Sequence, residues 1–233
     1  MPRPNPGRTP VFHIIPIEKL ASVVEHGLLC NTQADQRFGA QDLAEAAHTS
    51  IKEARRRRTV QLAQGGIMAD YVPFYFGPRS PMLYSIMCGN TEYGRAGRGQ
   101  VGMVHLVFHM EVLARDFHGR WCFIDGHLTR AWAQFGATMD ELDERVDFDV
   151  MRARWWHEPD EMRSARQAEF LVHDAVPWEY VALVVVMNDG VADEVEELLA
   201  NVGADHTPKV IACSPGRSGS VWPHGYYYEE GPT

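Results

Sequence analysis

The sequence predicts a single α+β domain built around a mainly antiparallel sheet. The chain has 233 residues, of which 45% are hydrophobic and 23% charged, and this is enough to bury one sizeable core. Short β-prone runs alternate irregularly with a few helical patterns, without the regular βαβ order of a parallel sheet. No repeat or low-complexity linker divides the chain. We therefore expect residues 1–233 to form one domain, with a flexible proline-rich N-terminus at 1–10.

The first quarter of the chain predicts a strand, a helix and an arginine-rich helix. Residues 11–15 are apolar and β-prone. Residues 17–26 carry apolar side chains at helical spacing, and Gly27 follows where a helix C-terminal cap belongs. The polar stretch 31–40 predicts a loop. A capping-box pattern then starts a short helix over 50–58, which ends in four adjacent arginines.

The middle of the chain is less regular. Residues 71–76 are aromatic and β-prone, and Pro73 within them predicts an irregular or edge strand. Residues 81–87 fit either a short helix or an extended segment, and the glycine-rich 92–100 predicts a loop. A long polar stretch, 125–159, contains one helical pattern near its centre. Further strands are predicted at 101–110, 121–124, 168–173, 181–187 and 209–213, and a further helix at 192–200.

Charge and composition exclude several classes of protein. The net charge of −9 and the pI near 5.6 exclude a wholly basic nucleic-acid binder, although a local basic face remains compatible with them. The sequence has no signal-peptide pattern and no apolar run near the ~20 residues that span a bilayer, so we expect a cytoplasmic protein with no membrane partner. The four scattered cysteines and the histidine spacings match no metal-ligand pattern, so no metal site is predicted.

Two basic features of the first 60 residues are candidate ligand contacts. His13 lies within an apolar strand, where its ring nitrogens could hold a ligand, although a buried core histidine fits the pattern as well. The four arginines 55–58 spread around their helix, so only one or two can turn inward to bind phosphate. A solvated basic turn is the alternative.

Three later features could complete a site. The aromatic and proline-rich stretch 71–84 suits stacking against a flat ring, and within it we place Tyr75 and Met82 at the site. Glu169 opens an apolar strand, where a carboxylate can serve as a general base, although with Arg166 it could form an ordinary surface pair. His127 follows a glycine on the long polar stretch and could be a polar contact or part of a turn.

Taken together, these segments resemble the DarT toxins, which are DNA ADP-ribosyltransferases of bacterial toxin–antitoxin systems. The resemblance extends from about Phe12 to the aromatic tail at 226–228. Its most specific part is the long run of aromatic, proline and arginine residues. The segments that carry it are 12–16 (FHIIP), 51–55 (IKEAR), 71–76 (YVPFYF), 78–83 (PRSPML), 125–127 (DGH) and 168–172 (AEFLV).

The resemblance implies an ADP-ribosyltransferase fold, with two small sheets around an NAD cleft. It implies transfer of ADP-ribose from NAD, a co-substrate, onto a base of single-stranded DNA, with thymidine favoured and guanine as the alternative. It also implies a macrodomain antitoxin of the DarG type as a partner. An ADP-ribosyltransferase that acts on RNA or protein, a tRNA 2′-phosphotransferase of the same fold and a non-catalytic single-strand-binding module are the alternatives.

The resemblance also assigns roles to residues of this chain. Glu169 and Arg55 would be catalytic, and we choose Arg55 from the arginine run by its spacing from Ile51. Many family members have His-Ile-Thr where this chain reads His13-Ile14-Ile15, so an apolar side chain stands at a position that contacts ribose in the family. The expected NAD contacts are His13, Ile15, Arg55, Tyr75 and Met82, and the expected DNA contacts are His127, Arg154, Arg163 and Arg166.

Overall fold

The computed structural model describes residues 3–39, 49–215 and 222–229. Within these residues the strands are β1 (Pro10–Pro16), β2 (Leu28–Leu29), β3 (Tyr71–Tyr75), β4 (Met103–His109), β5 (Trp121–Ile124), β6 (Phe135–Gly136), β7 (Glu169–His173), β8 (Ala175–Val176), β9 (Leu183–Val186) and β10 (Lys209–Ala212). The α-helices are α1 (Leu20–His26), α2 (Asn31–Phe38), α3 (Thr49–Arg57), α4 (Pro81–Met87), α5 (Glu92–Ala96), α6 (Met110–Asp116), α7 (Met139–Arg145), α8 (Phe148–Arg152), α9 (Asp160–Ala165) and α10 (Asp189–Val202). Short 3-10 turns precede α1, β3 and β4, and another lies between β8 and β9.

Eight strands form one sheet in the order β10-β9-β4-β1-β3-β7-β5-β6, and β2 pairs with β8 in a separate ribbon. All neighbours are antiparallel except β9 and β10, which confirms the predicted α+β class with a mainly antiparallel sheet.

The large sheet is almost divided between β1 and β3. These two strands share a single register pair, Phe12 with Tyr75, whereas β1 and β4 share a ladder that runs the full length of β1. The sheet is therefore two four-stranded halves that meet at one point. We expected two small sheets, and the structure differs from this only by the one pair that joins them.

Pro73 lies where the two halves separate. The strand that contains it is interior to the sheet, so the predicted edge position is wrong. In a strand, the N–H and C=O of one residue point to the same side. The carbonyl of Pro73 faces β1, where it is 2.7 Å from Nδ1 of His13, so its missing N–H also faces the gap and not the ladder with β7. A proline is therefore tolerated here.

Several helices differ from the sequence-based expectation. The predicted loop at 31–40 contains α2, which begins after Cys30, whose Sγ accepts a hydrogen bond from the Gln33 N–H at 3.4 Å. Residues 81–87 are helical as α4, because Ser80 caps the first turn and Pro81 occupies a position that needs no donor. The stretch 92–100, predicted to be a loop, contains α5.

The helical pattern predicted inside the long polar stretch is confirmed as α7. Thr138 caps it in a reciprocal capping box with Glu141. The rest of the stretch is more structured than expected, because it also contains β6 and α8.

The last described segment, 222–229, packs against the sheet and the turn before α4. The Tyr227 hydroxyl donates to the carbonyls of Met103 and Val185 at 2.8 and 3.0 Å. The Tyr228 hydroxyl donates to the carbonyl of Arg79 at 2.7 Å. In the described ranges, no helix is long and apolar enough to cross a membrane.

Candidate active site

A cavity of about 430 Å³ opens where the two halves of the sheet separate. Its walls come from β1 and β3, from Glu169 at the start of β7, and from α1, α2, α3 and α4. Every predicted NAD contact lines it, together with the predicted catalytic carboxylate: His13, Ile15, Arg55, Tyr75, Met82 and Glu169. His13 and Glu169, which are 156 positions apart in the sequence, therefore line the same cavity.

Glu169 is held by strand register. It pairs with Tyr75 of β3 on one side and with Ile124 of β5 on the other. Because directly opposed residues share a face of the sheet, the carboxylate and the Tyr75 phenol both face the cavity. Glu169 is 8% exposed, so its carboxylate is largely shielded from bulk water.

Arg55 forms a buried ion pair with Glu169. Its Nη1 lies 2.6 Å from Oε2 of the carboxylate, and its Nη2 donates to the carbonyl of Met68 at 3.3 Å. The Nε atom of Arg55 is buried and has no hydrogen-bond partner among the residues that the structure describes. The guanidinium therefore orients the carboxylate, and its Nε–H is used by no described protein atom.

The other three arginines of the run point away from the cavity. Helix geometry turns each successive residue by about 100°, so adjacent side chains cannot share one face. Each of the three has a different partner outside the cavity: Arg56 pairs with Asp35, Arg57 lies near Glu53, and Arg58 donates to the carbonyl of Ala133. Arg55, chosen by its spacing from Ile51, is the arginine of the run that lines the cavity.

His13 is a neutral ring with a defined tautomer. Its Nδ1 lies 2.7 Å from the carbonyl oxygen of Pro73, and a carbonyl can only accept, so Nδ1 carries the proton. Burial lowers the pKa of His13 to about 4, with the Pro73 hydrogen bond acting in the opposite direction and the Arg55 charge adding to the decrease, so the ring is uncharged near neutrality. Nε2 is consequently left as a hydrogen-bond acceptor.

Tyr75 and Met82 complete this end of the cavity. Burial, and then the charge of Glu169, raise the pKa of Tyr75 above its usual value, so the phenol keeps its proton. Met82 lies in the first turn of α4 and is half-buried. Together they present a flat ring and a polarizable thioether beside the ion pair, a combination suited to an aromatic ligand.

The part of the cavity that α1 and α2 line was missed by sequence reasoning. It includes His26, Ala34 and Phe38. The rings of His26 and Phe38 lie 5.5 Å apart at an interplanar angle of 34°. The available signal was the spacing of Ala34 and Phe38, which places both on one face of a helix.

His127 and Arg163 lie together beyond the Glu169 end of the cavity. The His127 N–H donates to the Ser164 hydroxyl at 3.1 Å, and its Nδ1 is 2.6 Å from the Thr129 hydroxyl. Both residues line a second cavity of about 340 Å³. Burial lowers the pKa of His127, and the charge of Glu169 acts in the opposite direction. His127 is therefore close enough to Glu169 to interact with its charge.

The two remaining predicted DNA contacts differ sharply from each other. Arg154 is exposed, and its Nη2 donates to Glu229 at 3.1 Å. Arg166 is only 3% exposed, and its guanidinium donates to the carbonyls of Arg79, at 2.9 Å, and Val150. The expected surface position of Arg166 is therefore wrong, since the structure places it inside the domain.

Comparison with known proteins identifies the relatives of this fold. The family model described as "DarT: ssDNA thymidine ADP-ribosyltransferase" matches residues 12–214. A DNA ADP-ribosyl transferase from Thermus sp. (strain 2.9) is 35% identical over 211 residues, covering 90% of this chain and 96% of that protein. A fusion of a DNA ADP-ribosyl transferase with a DNA ADP-ribosyl glycohydrolase from Thermosipho africanus is 21% identical over 191 residues, covering 82% of this chain and 46% of the fusion.

Solved structures of the Thermus sp. 2.9 DarT match the same architecture. Its complex with ADP-ribosylated ssDNA superposes with a TM-score of 0.82 at 34% identity, covering 91% of this chain and 97% of that one. Its complex with NAD+ superposes with a TM-score of 0.76 at 33% identity, covering 89% and 96%. These matches confirm the ADP-ribosyltransferase fold, and the chain described here belongs to the DarT family.

Proposed function

We propose that this protein transfers ADP-ribose from NAD onto a thymine base of single-stranded DNA. The observation that carries the proposal is the buried Arg55–Glu169 pair on the wall of a cavity at the split of the sheet. Family membership supports the substrate classes, because relatives are named DNA ADP-ribosyl transferases and one has been solved with NAD+ and with ADP-ribosylated ssDNA.

The cavity suits NAD, which carries polar ribose and phosphate groups between two flat rings. The acceptor Nε2 of His13 and the Arg55–Glu169 pair offer polar contacts. Phe38 and neighbouring apolar side chains of α1 and α2 provide a surface for a ring. NAD supplies an activated ribose whose bond to nicotinamide can be broken.

In the proposed reaction, Glu169 acts on both the ribose and the target base. Positive charge grows on the anomeric carbon as the nicotinamide–ribose bond breaks, and a nearby carboxylate stabilises this charge. A base nitrogen of DNA then forms the new bond to that carbon, and Glu169 accepts the proton that the nitrogen releases. Nicotinamide leaves with the electron pair of the broken bond, so atoms and charge balance.

The neighbouring side chains position these groups. We assign Arg55 to fixing the rotamer of Glu169, since the 2.6 Å contact already does so in the free protein, and to contacting NAD from the cavity wall. Tyr75 and Met82 line the nicotinamide end, and His13 accepts from a ribose or carboxamide donor. Ile15 stands on the ribose side as an apolar contact.

We assign the DNA strand to the surface beyond Glu169. His127 is close enough to sense the Glu169 charge, and Arg163 and Arg154 are exposed cations that can bind phosphates. For Arg166 we propose a structural role, because its donors are already used by backbone carbonyls.

We also propose one domain, a macrodomain partner and a cytoplasmic location. The strand order interleaves β1 with β9 and β10, so the chain from its first strand to its last contributes to one sheet. The Thermosipho africanus fusion joins a transferase to a glycohydrolase in one chain, which favours a partner that removes the modification. NAD and DNA are available together in the cytoplasm.

The test uses NAD with matched single-stranded and duplex oligonucleotides in which each thymine is replaced in turn, followed by mass analysis. We expect an added ADP-ribose on the single strand and a much slower reaction on the duplex, because extracting a paired base costs a few kcal/mol. Modification that survives removal of every thymine would point to guanine. Modification of RNA or protein alone, or DNA binding without NAD consumption, would overturn the proposal.

A further inference from the structure

Trp155 is an exposed aromatic side chain in the segment between α8 and α9. It is 73% exposed, more than any other large apolar side chain in the described ranges. Exposure of an indole to this extent gives up the burial that normally stabilises a tryptophan. Its ring has a cation beside it, since the guanidinium carbon of Arg154 lies 5.4 Å from the ring centroid.

The segment that carries Trp155 is anchored on its inner side. The next residue, Trp156, is 2% exposed and stacks on the ring of His157, with centroids 4.2 Å apart at an interplanar angle of 19°. His157 in turn lies 4.5 Å from the ring of Tyr84, which belongs to α4. Because α4 also carries Met82, which lines the NAD cavity, the segment of Trp155 is anchored on a helix that borders this cavity.

Arg154 belongs to a group of charged residues that also includes Arg79 and Glu229. Arg79 and Arg154 lower the pKa of His224, although burial is the largest cause of that shift. Glu229 interacts with the same groups and accepts the hydrogen bond from Arg154. Both Arg154 and Glu229 are exposed, so their pair is weak, and a phosphate can replace the carboxylate at small cost.

We propose that Trp155 and Arg154 form a subsite for a nucleotide that flanks the target thymine, with the base stacked on the indole and its phosphate bound by the guanidinium. Stacking on an aromatic side chain needs an unpaired base, so this subsite also favours single strands over duplex. A cation beside an aromatic ring matches the alternation of rings and phosphates along a single strand.

This inference rests on the proposed function, and its test separates the two. The probe is the shortest single-stranded DNA that the wild-type protein modifies, together with a series in which each nucleotide other than the target is made abasic in turn. The variants are Trp155→Ala, Trp155→Phe and, as a control at an exposed apolar position on the acidic helix α10, Val202→Ala. The affinity for NAD monitors the fold, because Trp155 does not line the NAD cavity.

We expect Trp155→Ala to raise the KM for the intact oligonucleotide about tenfold, with NAD affinity unchanged. Trp155→Phe should recover most of the loss, and Val202→Ala should match the wild type. In the wild type, one abasic position should raise the KM for the oligonucleotide about tenfold. In Trp155→Ala, an abasic site at the same position should leave the KM almost unchanged.

Two outcomes would overturn the inference. If Trp155→Ala has the wild-type KM, or if it is as sensitive as the wild type to every abasic position, no base stacks on Trp155, while the proposed function stands. If the wild type modifies no oligonucleotide, the proposed function fails, and this subsite fails with it.

Discussion

The NAD cavity and the candidate DNA surface lie next to each other but are built differently. In the cavity, His13 and Arg55 are oriented by hydrogen bonds to buried partners, and Glu169 is held by Arg55. On the surface, the exposed Arg154 and Arg163 pair with exposed acids of the same chain. The cavity is therefore preorganised, whereas the surface must exchange internal ion pairs for phosphates when a strand binds.

The difference follows from solvent exposure. Breaking a buried ion pair by removing one partner costs about 3–5 kcal/mol, whereas an exposed pair is worth about 0–1 kcal/mol. Substitutions in the cavity should therefore reduce the turnover rate strongly, and the reduction should depend little on salt concentration. Substitutions on the surface should change DNA binding only slightly, and added salt should weaken this change further.

The largest effect is expected at Glu169. Glu169→Gln keeps the shape of the side chain but removes the charge that stabilises the ribose carbon and accepts the proton. We expect the turnover rate to fall about 10²–10⁴-fold with NAD affinity largely retained. Single-turnover modification of an oligonucleotide measures the first quantity and calorimetry the second, with the exposed Glu196→Gln as control. Near-normal modification by Glu169→Gln would remove the catalytic assignment.

The next largest effect on the turnover rate is expected at Arg55, and the comparison is with Arg57 of the same helix. Arg55→Lys keeps a charge but loses the geometry that holds Glu169, so we expect a rate loss of about 100-fold. Arg57 is 74% exposed in its side chain, and Arg57→Lys should stay within about twofold of the wild type. Thermal denaturation of both variants checks the fold. If Arg55→Lys and Arg57→Lys lose the same fraction of the turnover rate at low and at high salt, the contrast between cavity and surface is wrong.

Acid should destabilise the protein through its buried histidines. Burial lowers the pKa of His105 and of His13 from the usual 6.5 to about 4. Between these values the unfolded chain binds protons that the folded chain does not, so the free energy of unfolding falls as pH drops from about 6.5 to about 4. The loss is about 3 kcal/mol for the fully buried His105.

Urea unfolding at pH 7.5 and pH 4.5 measures this loss. His105→Gln retains a donor for the Pro78 carbonyl but has no titrating ring, so it should lose clearly less stability between the two pH values. The same change at the exposed His118 is the control. An identical pH dependence in His105→Gln and wild type would show that His105 is not responsible.

The smallest effect on DNA is expected at single surface cations. Arg163→Ala should raise the KM for DNA a few-fold and reduce the salt dependence of binding by about one phosphate contact. Arg166→Ala should act differently, because it removes buried hydrogen bonds and leaves the carbonyls of Arg79 and Val150 with only the Tyr228 hydroxyl and the Ala153 N–H as donors. We expect it to lower Tm by about 5 °C and to leave the salt dependence unchanged. If Arg166→Ala instead leaves Tm unchanged and reduces the salt dependence of DNA binding, Arg166 is a DNA contact.

The strands and the residues of the polar end of the cavity were largely predictable from sequence. Apolar β-prone runs mark β4, β5, β7 and β9, because a strand buried on both faces needs such a run. The choice of Arg55 followed from its spacing from Ile51 in the segment that resembles the family. The resemblance to the family supplied the link between these separate segments.

The remainder depends on contacts between distant parts of the chain. Helix α2 is polar on most of its surface and lines the cavity with Asn31, Ala34 and Phe38, so its local pattern is that of a loop. The burial of Arg166 depends on the Arg79 carbonyl, 87 residues away, which no local pattern reveals. The single pair between β1 and β3 is likewise a property of the assembled sheet.

Residue 73 explains why that gap in the sheet persists. Two neighbouring strands with free backbone donors and acceptors tend to pair, and continuous pairing of β1 with β3 would eliminate the cavity between them. At this position β3 offers β1 no donor, since proline has no N–H, and no free acceptor, since the carbonyl already binds His13. β1 and β3 therefore cannot form backbone hydrogen bonds to each other at this position. A ligand can enter the cavity between them without displacing a β-ladder.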